Sequence, residues 1–283
     1  MSSGTSFEDT VASKEKCLQA RLGQLPSVIV ALSGGTDSAY LAWVAGQALG
    51  ERALAVTAVS ASLPESERAA VADFVARYSL RHEFIATDEL SNPLYVANHP
   101  DRCYYCKDEL FTKLDALARS RGFAAVAYGI NLDDLGDFRP GQRAAAEHRV
   151  LTPLLDAGLT KAEIRELSRR AGLPTWDKPA AACLASRIAH GIAVTEDALK
   201  RIEKGEEALR ALGFRQVRVR YHGLPAEASP KAGELVRIEI APDELPRALT
   251  PAMAQKFAEI FKTLGFKYVT LDLEGYRQGS LNP

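Results

Sequence analysis

The feature that most constrains the fold is a short apolar run that ends in a glycine-rich polar loop. Residues 27–32 are rich in β-branched side chains, which predicts a buried strand. The loop Ser33-Gly34-Gly35-Thr36-Asp37-Ser38 follows at once, and good helix formers continue through residues 39–49. Backbone N–H groups converge at such a junction, and the helix dipole favours negative charge there. The segment therefore predicts an anion-binding turn.

Further strands and helices alternate along the first two thirds of the chain. Strands are predicted at 53–59, 83–86 and 124–128, and helices at 8–23, 65–78, 107–121 and, after a capping box, from 160 onward. Residues 130–149 and 174–191 are predicted to be long loops. This alternation predicts the α/β class, with a doubly wound parallel sheet covered by helices on both faces.

The pattern changes near residue 190. A helix at 195–212, strands at 215–221 and 235–240, a helix at 251–264 and a strand at 268–273 predict a smaller α+β domain. We therefore predict two domains, 1–190 and 191–283.

The charge and hydropathy of the sequence give no indication of a nucleic-acid or membrane partner. The 283 residues include 35 Lys and Arg against 36 Asp and Glu, so no general basic surface predicts a nucleic-acid partner. No apolar run reaches the roughly 18 residues of a membrane span. The polar N-terminus lacks the pattern of a signal peptide, which predicts a cytoplasmic protein without a membrane partner.

The loop residues have the chemistry of a phosphate site. Gly34 and Gly35 allow close backbone approach, and the hydroxyl groups of Ser33, Thr36 and Ser38 can donate hydrogen bonds. Asp37 would repel phosphate unless a Mg²⁺ ion lies between them, so its presence predicts Mg²⁺. The alternative is an ordinary strand-to-helix turn in which Asp37 caps the helix. The chain has neither the Gly-x-x-x-x-Gly-Lys-Ser/Thr nor the Gly-x-Gly-x-x-Gly pattern at this point.

A second polar segment follows the predicted strand at 124–128. The carboxyl ends of parallel strands line one crevice, so Gly129, Asn131 and Asp134 are predicted to face the phosphates or Mg²⁺. Arg139 and Arg143 follow and can neutralise phosphate charge, although solvated surface arginine is an equal alternative.

The four cysteines are Cys17, Cys103, Cys106 and Cys183. Cys103 and Cys106 are spaced to share a metal or to form a redox pair, directly before a predicted helix. With Cys183, three thiolates could hold a 4Fe-4S cluster with one iron open to another ligand. The alternative is a set of scattered buried thiols, and for Cys17 that alternative is preferred.

The phosphate loop resembles the SGGxDS signature of the PP-loop ATP pyrophosphatase superfamily, which cleaves ATP between its α- and β-phosphates. Within it the chain resembles the LarE family, on the segments SGGTDS, RCYYCK, DFRPGQRAAAEH, KPAAACLASR, VRVRYH and KYVTLDLEGYRQG. The resemblance implies a sulfur transferase that uses ATP and Mg²⁺ to adenylylate a carboxylate of a pyridinium biscarboxylic acid mononucleotide. Sulfide or another sulfur donor then converts that carboxylate into a thiocarboxylate.

The resemblance also implies roles for individual residues. Pyrophosphate and Mg²⁺ are assigned to Ser33, Gly34, Gly35, Asp37 and Ser38, and a catalytic 4Fe-4S cluster to Cys103, Cys106 and Cys183. The substrate phosphate is assigned to Ser186, Arg218, Arg220 and Arg277, although Arg218 and Arg220 could instead form an exposed strand face. Glu206 and Glu239 match positions with a catalytic or metal role. A homo-oligomer is expected.

Three other functions remain open from the sequence. A tRNA thiolase also combines this loop with cysteines, but binding of tRNA requires a positively charged surface. An ammonia-using synthetase needs no set of three thiols. A non-catalytic iron–sulfur or nucleotide-sensing module would release no pyrophosphate.

Overall fold

The computed structural model describes residues 7–136, 140–179, 182–223 and 233–277. The chain divides into two compact units. The first contains Met1–Ser60, Glu65–Thr87 and Cys103–Ala181, and the second contains Ala61–Pro64, Asp88–Arg102 and Ala182–Pro283. Residues 182–190 thus belong to the second unit. Compact units need not fold alone, so the predicted domains 1–190 and 191–283 stay a prediction.

The first unit is built on a parallel sheet with the spatial order β3-β2-β1-β4. Its strands are β1 (Val28–Ala31), β2 (Ala53–Val59), β3 (His82–Ala86) and β4 (Ala125–Tyr128). Val28 of β1 pairs with Ala53 on one side and with Ala125 on the other. The carboxyl ends of β1 and β4 are therefore neighbours, which brings the two polar loops after them to one edge.

Helices occur in both units. In chain order they are α1 (Phe7–Gly23), α2 (Thr36–Leu49), α3 (Glu65–Arg77), α4 (Pro93–Val96), α5 (Arg102–Arg121), α6 (Pro140–Glu147), α7 (Pro153–Asp156), α8 (Lys161–Arg170), α9 (Glu196–Ala211), α10 (Leu245–Ala248) and α11 (Pro251–Thr263). Short 3₁₀ turns include Leu132–Gly136 and Leu184–Arg187. Among the described residues, no helix has both the length and the apolar character needed to cross a membrane.

The central strand β1 of this sheet is buried on both faces. Val28 and Val30 pack with α1, α2, α3 and α8, whereas Ile29 and Ala31 pack with α5 and α6 on the other side. Alternate residues of β1 thus enter two separate cores, which is why the strand is apolar throughout. The predicted α/β class with a doubly wound parallel sheet is confirmed.

The second unit contains a smaller mixed sheet. Its strands β5 (Val217–His222), β6 (Leu235–Ile240) and β7 (Tyr268–Leu271) lie in that order. β5 and β6 are antiparallel, and β6 and β7 are parallel. α9 packs closely on α11, because a Cβ at Gly205 would lie 2.5 Å from the ring of Phe261. This is the predicted small α+β arrangement.

Sequence-based predictions of secondary structure are wrong at the start of α5 and in the segment 130–149. α5 begins at Arg102, so Cys103 and Cys106 lie inside the helix that they were predicted to precede. No glycine or proline interrupts residues 102–106, so nothing local stops the helix from extending back to Arg102. The predicted loop at 130–149 contains the 3₁₀ turn Leu132–Gly136 and α6. α6 has only eight residues, and its buried side chains are the small Ala144 and Ala145. The sequence therefore shows no clear pattern of large apolar residues that would predict this helix.

Candidate active site

The glycine-rich loop joins β1 to α2 and folds back on its own serines. The backbone N–H of Ser33 donates to Oγ of Ser38 at 3.1 Å, and the two hydroxyl oxygens lie 3.0 Å apart. Gly34 has a φ of +77°, in the left-handed region that favours glycine, and a Cβ there would lie 2.7 Å from Val71. The tight conformation of the loop therefore requires glycine at position 34.

α2 begins three residues earlier than the sequence predicts. Thr36, Asp37 and Ser38 form its first turn, and Gly35 is its N-cap in an extended conformation. The alternative in which Asp37 caps the helix is therefore wrong. The first backbone N–H groups of a helix lack acceptors within the helix, so this end suits a phosphate.

Asp37 is the most constrained side chain of the loop. Its Oδ2 accepts hydrogen bonds from Nζ of Lys161 at 2.7 Å and from Nδ2 of Asn131 at 3.3 Å. Its Oδ1 is buried and has no hydrogen-bond partner among the described residues. A buried carboxylate oxygen without a donor is costly unless a further cation or donor reaches it.

The loop after β4 meets the phosphate loop, as predicted from strand order. A Cβ on Gly129 would lie 2.8 Å from the backbone nitrogen of Ser38, so this position allows no side chain without a shift of the backbone. The carboxylate of Asp134 accepts from the backbone N–H of Asn131 at 3.0 Å. Asp134 therefore shapes the loop, and Asn131 carries the contact to Asp37.

The phosphate loop is also held by the segment after α8. Nζ of Lys178 donates to the carbonyl of Gly34 at 3.0 Å and pairs with Glu67 at 2.6 Å. Oγ1 of Thr36 donates to the carbonyl of Thr175 at 2.8 Å. Lys178 comes from a segment far along the chain, so its contact with this loop could not be predicted from the sequence.

Lys161 was also missed, although the sequence carries a signal for it. It is the first residue of α8, after the N-cap Thr160. A cation is unfavourable at the positive end of a helix dipole, so a lysine at this position indicates a nearby anion. The structure identifies that anion as Asp37.

The two arginines predicted to bind phosphate have different outcomes. Arg143 lies over the ring of Tyr104 at 3.9 Å, and its Nε is 3.6 Å from Glu147. Arg139 lies outside the described residues. A phosphate-binding role for either side chain stays a prediction.

The cysteines are divided between the units. Cys103 is exposed and Cys106 half-buried, one helical turn apart on α5 in the first unit, where both can reach one ligand. Cys183 precedes the 3₁₀ turn Leu184–Arg187 in the second unit. Cys17 is exposed, so its preferred interpretation as a buried thiol is wrong. Within the part of the chain that the structure describes, no group of three or more His, Cys, Asp or Glu side chains could hold a metal ion.

The second unit gathers several of the predicted residues into one polar network. Oγ of Ser186 donates to the carbonyl of Cys183 at 2.7 Å. The guanidinium of Arg187 donates to that carbonyl at 2.9 Å and pairs with Glu206 at 2.9 Å. Glu206 also accepts from the backbone N–H of Val219 on β5 at 3.3 Å. The segment around Cys183 is thereby attached to β5.

The network continues along β5 and β6. Arg220 donates to the carbonyl of Ser186 at 3.1 Å and pairs with the fully buried Glu239 at 2.8 Å. Arg237 pairs with both Glu239 and Asp272. Arg277 pairs with Glu274 at 2.7 Å and lies 3.7 Å from Asp272. Because Arg220 is buried, the alternative of an exposed strand face is wrong for this residue.

Guanidinium groups set the charge balance of this network. Burial alone would raise the pKa of Glu206, but Arg187, Arg218 and Arg210 together hold that pKa below its ordinary value. Burial and the neighbouring Arg187 lower the pKa of Arg218, against the attraction of Glu206. Arginine remains cationic under such shifts, so the network keeps an excess of positive charge that suits an anion.

The parallel sheet and its SGGTDS loop define the chain as an α/β protein of the PP-loop class, with a nucleotide alpha hydrolase-like fold. No protein-family model matches the sequence. A pyridinium-3,5-bisthiocarboxylic acid mononucleotide synthase from Lactiplantibacillus plantarum is 32% identical over 274 residues, which cover 96% of this chain and 95% of that protein. The chain belongs to the family of that synthase, the LarE family.

Two uncharacterized proteins are similar along most of their lengths. One, from Synechocystis, is 41% identical over 270 residues, covering 95% of this chain and 97% of that protein. The other, from Methanocaldococcus jannaschii, is 28% identical over 250 residues, covering 88% and 90%. Such coverage indicates that the similarity extends over both compact units.

Proposed function

We propose that this protein is an ATP-dependent sulfur transferase that acts on pyridinium-3,5-biscarboxylic acid mononucleotide and forms a thiocarboxylate. The main support for the proposal comes from the phosphate loop, residues 33–38. In this loop Oδ1 of Asp37 is buried without a hydrogen-bond partner among the described residues. Identity of 32% to the Lactiplantibacillus synthase supports the substrate class. The proposed setting is a cytoplasmic homo-oligomer.

The residues at the carboxyl edge of the sheet fit ATP and Mg²⁺. A carboxylate oxygen without a partner is the kind of ligand that Mg²⁺ takes together with phosphate oxygens. When bound, Mg²⁺ supplies positive charge that offsets the triphosphate. Asp37 is the proposed ligand of the ion, and the proposed nucleotide site further contains Ser33, Gly34, Gly35, Thr36, Ser38, Gly129, Asn131, Asp134, Arg139 and Arg143.

The proposed chemistry has two balanced steps. A carboxylate oxygen of the substrate attacks the α-phosphorus of ATP, and the bond to the β-phosphate breaks, so pyrophosphate leaves. A sulfur nucleophile then attacks the carboxyl carbon, and AMP leaves with the former carboxylate oxygen. Adenylylation is needed because a free carboxylate oxygen is a poor leaving group, and division into two steps lowers the barrier.

The guanidinium network of the second unit is the proposed site of the substrate phosphate. Arg218, Arg220 and Arg277 supply the charge, and Ser186 supplies a hydroxyl donor. Glu206 and Glu239 pair with arginines of this network. Their proposed catalytic or metal role rests on the family resemblance.

The source of sulfur is proposed to be a 4Fe-4S cluster on Cys103, Cys106 and Cys183. The placement of Cys103 and Cys106 on one face of α5 fits two thiolate ligands of one group. When bound, a cluster with an open iron supplies a place for exogenous sulfide. Anaerobic purification should yield about four irons and four labile sulfides per chain. If the protein is colourless and cannot be reconstituted with iron and sulfide, the proposed cluster is wrong. The sulfur would then come from a cysteine side chain, and Cys183 would be the first candidate.

Two alternatives remain within this class of fold. A tRNA thiolase is disfavoured by the balance of 35 basic against 36 acidic residues. An ammonia-using synthetase would form an amide from the same activated carboxylate. Replacement of sulfide by ammonium in the assay separates that case from sulfur transfer.

The experiment that tests the proposal follows the products of ATP. Protein, ATP and Mg²⁺ are incubated with the pyridinium substrate and sulfide, and the nucleotides are separated by chromatography. We expect AMP and pyrophosphate in the presence of substrate, and a rate lowered by about 100-fold or more in Asp37→Asn. Formation of ADP would contradict the proposal, and so would formation of AMP at the same rate with and without the pyridinium substrate.

A further inference from the structure

The ion pair between Lys161 and Asp37 occupies the carboxylate assigned above to Mg²⁺. Nζ of Lys161 lies 2.7 Å from Oδ2 of Asp37, and the side chains are 35% and 16% exposed. The ammonium is thus open enough to move, whereas the carboxylate is more enclosed. Asn131 contacts the same oxygen at 3.3 Å, and Oδ1 faces no hydrogen-bond donor among the described residues.

The backbone of Lys161 is fixed independently of this ion pair. Its N–H donates to the carboxylate of Asp133 at 2.8 Å. The preceding Thr160 forms a capping box with Glu163, whose carboxylate pairs with Lys14 at 2.7 Å. The start of α8 is therefore anchored, and the four-carbon stem of Lys161 can swing without moving the helix.

The carboxylate of Asp37 is the anion that pairs with the ammonium of this lysine. A cation on the first residue of α8 is opposed by the dipole of its own helix, so Asp37 is its compensating partner. A nucleotide with Mg²⁺ brings both a stronger cation for Asp37 and phosphate oxygens for an ammonium. Exchange of partners then leaves no charge unpaired.

We propose that Lys161 is the internal counter-cation of Asp37, that Mg²⁺ at the unpartnered Oδ1 would take over this role when ATP binds, and that the ammonium of Lys161 then leaves Oδ2 for a phosphate oxygen. The inference rests on the proposed function and names a further nucleotide-binding residue for it. It predicts two effects of opposite sign in Lys161→Gln. Without nucleotide a divalent cation gains access to Asp37, whereas with nucleotide a phosphate contact is lost.

The experiment measures both effects on the intact chain. Mn²⁺ binding without nucleotide is titrated by electron paramagnetic resonance, and ATP binding with excess Mg²⁺ is titrated by calorimetry. Lys161→Gln is compared with the wild type, with Lys161→Arg, and with Lys113→Gln, which removes an exposed lysine of the same unit that lies 3.9 Å from Glu109. Lys161→Ala replaces the glutamine variant if that variant does not fold.

We expect Lys161→Gln to bind Mn²⁺ about tenfold more tightly and ATP about tenfold more weakly, which is one decade of affinity in each direction. Lys161→Arg should restore most of the ATP affinity, and Lys113→Gln should match the wild type. Unchanged Mn²⁺ affinity in the glutamine variant overturns the ion-pair exchange, and so does unchanged ATP affinity. A wild type that binds no ATP refutes the proposed function instead, and the Mn²⁺ titration still decides whether Lys161 shields Asp37.

Discussion

At the scale of the residue, Gly129 is where two loops approach most closely. A Cβ there would lie 2.8 Å from the nitrogen of Ser38 and 2.9 Å from the carbonyl carbon of Asp37, and neither backbone atom can yield easily. Gly129→Ala should therefore push the end of β4 away from the phosphate loop. We expect a loss of about 1–3 kcal/mol in the free energy of unfolding and weaker ATP binding.

The matched control for that prediction is Gly23→Ala, where a Cβ would have nothing within 4 Å. Urea unfolding and ATP calorimetry are measured for both variants. If Gly129→Ala and Gly23→Ala had the same free energy of unfolding and the same ATP affinity, the contact between the phosphate loop and the loop after β4 would be less tight than the structure indicates.

Glu206 is a second residue whose environment gives a sharp expectation. Its side chain is 2% exposed and pairs with Arg187, which is 4% exposed. Glu206→Gln leaves buried guanidinium charge without its partner and should cost about 3–5 kcal/mol of unfolding free energy. The exposed pair of Glu196 with Lys200 provides the control, since Glu196→Gln should cost less than about 1 kcal/mol. A smaller loss for Glu206→Gln than for Glu196→Gln in urea unfolding would refute the assigned ion pair.

At the scale of the element, His148 ties the end of α6 to α5. Its Nδ1 lies 2.8 Å from Asp115 and its Nε2 lies 3.0 Å from Asp108. Burial opposes the charged ring, but the hydrogen bonds to Asp108 and Asp115 outweigh it and raise the pKa of His148 above 6.5. Because the pKa of His148 is higher in the folded state than in the unfolded state, protonation of the ring stabilises the fold. This stabilisation is fully present at a pH below the pKa of the unfolded state, and it is lost as the pH rises through the pKa of the folded state.

The prediction is a pH-dependent difference between the wild type and His148→Gln. The melting temperature of the wild type should exceed that of the variant by more at pH 5.5 than at pH 8.5. His99→Gln, which removes an exposed histidine, is measured alongside as the control. A difference for His148→Gln that is constant with pH would contradict the raised pKa of His148.

Elements with a local cause could be predicted from the sequence, whereas contacts between distant segments could not. The strand before Ser33 follows from β-branched residues, and the start of α8 follows from the Thr160–Glu163 capping box. The start of α5 was misplaced because a helix boundary has no strong local signal around Cys103. The contact of Lys161 with Asp37 joins residues 124 positions apart, so only the folded chain reveals it.

At the scale of the whole molecule, the proposed roles are divided between the two compact units. The ATP site is assigned to loops of the first unit, and the substrate-phosphate site is assigned to the arginine network of the second. The similarity to the Lactiplantibacillus synthase covers 96% of the chain, so it extends over both compact units. A reaction that joins ATP to a phosphorylated substrate accounts for the presence of both sets in one protein.

The most direct test of this account is the fate of the carboxylate oxygen. The pyridinium substrate is prepared with oxygen-18 in its carboxyl groups and incubated with the protein, ATP, Mg²⁺ and sulfide, and the AMP is analysed by mass spectrometry. Adenylylation of the substrate predicts one oxygen-18 atom in each AMP, because the activated oxygen leaves on the nucleotide. AMP that carries only oxygen-16, formed together with the thiocarboxylate, would contradict adenylylation of the substrate.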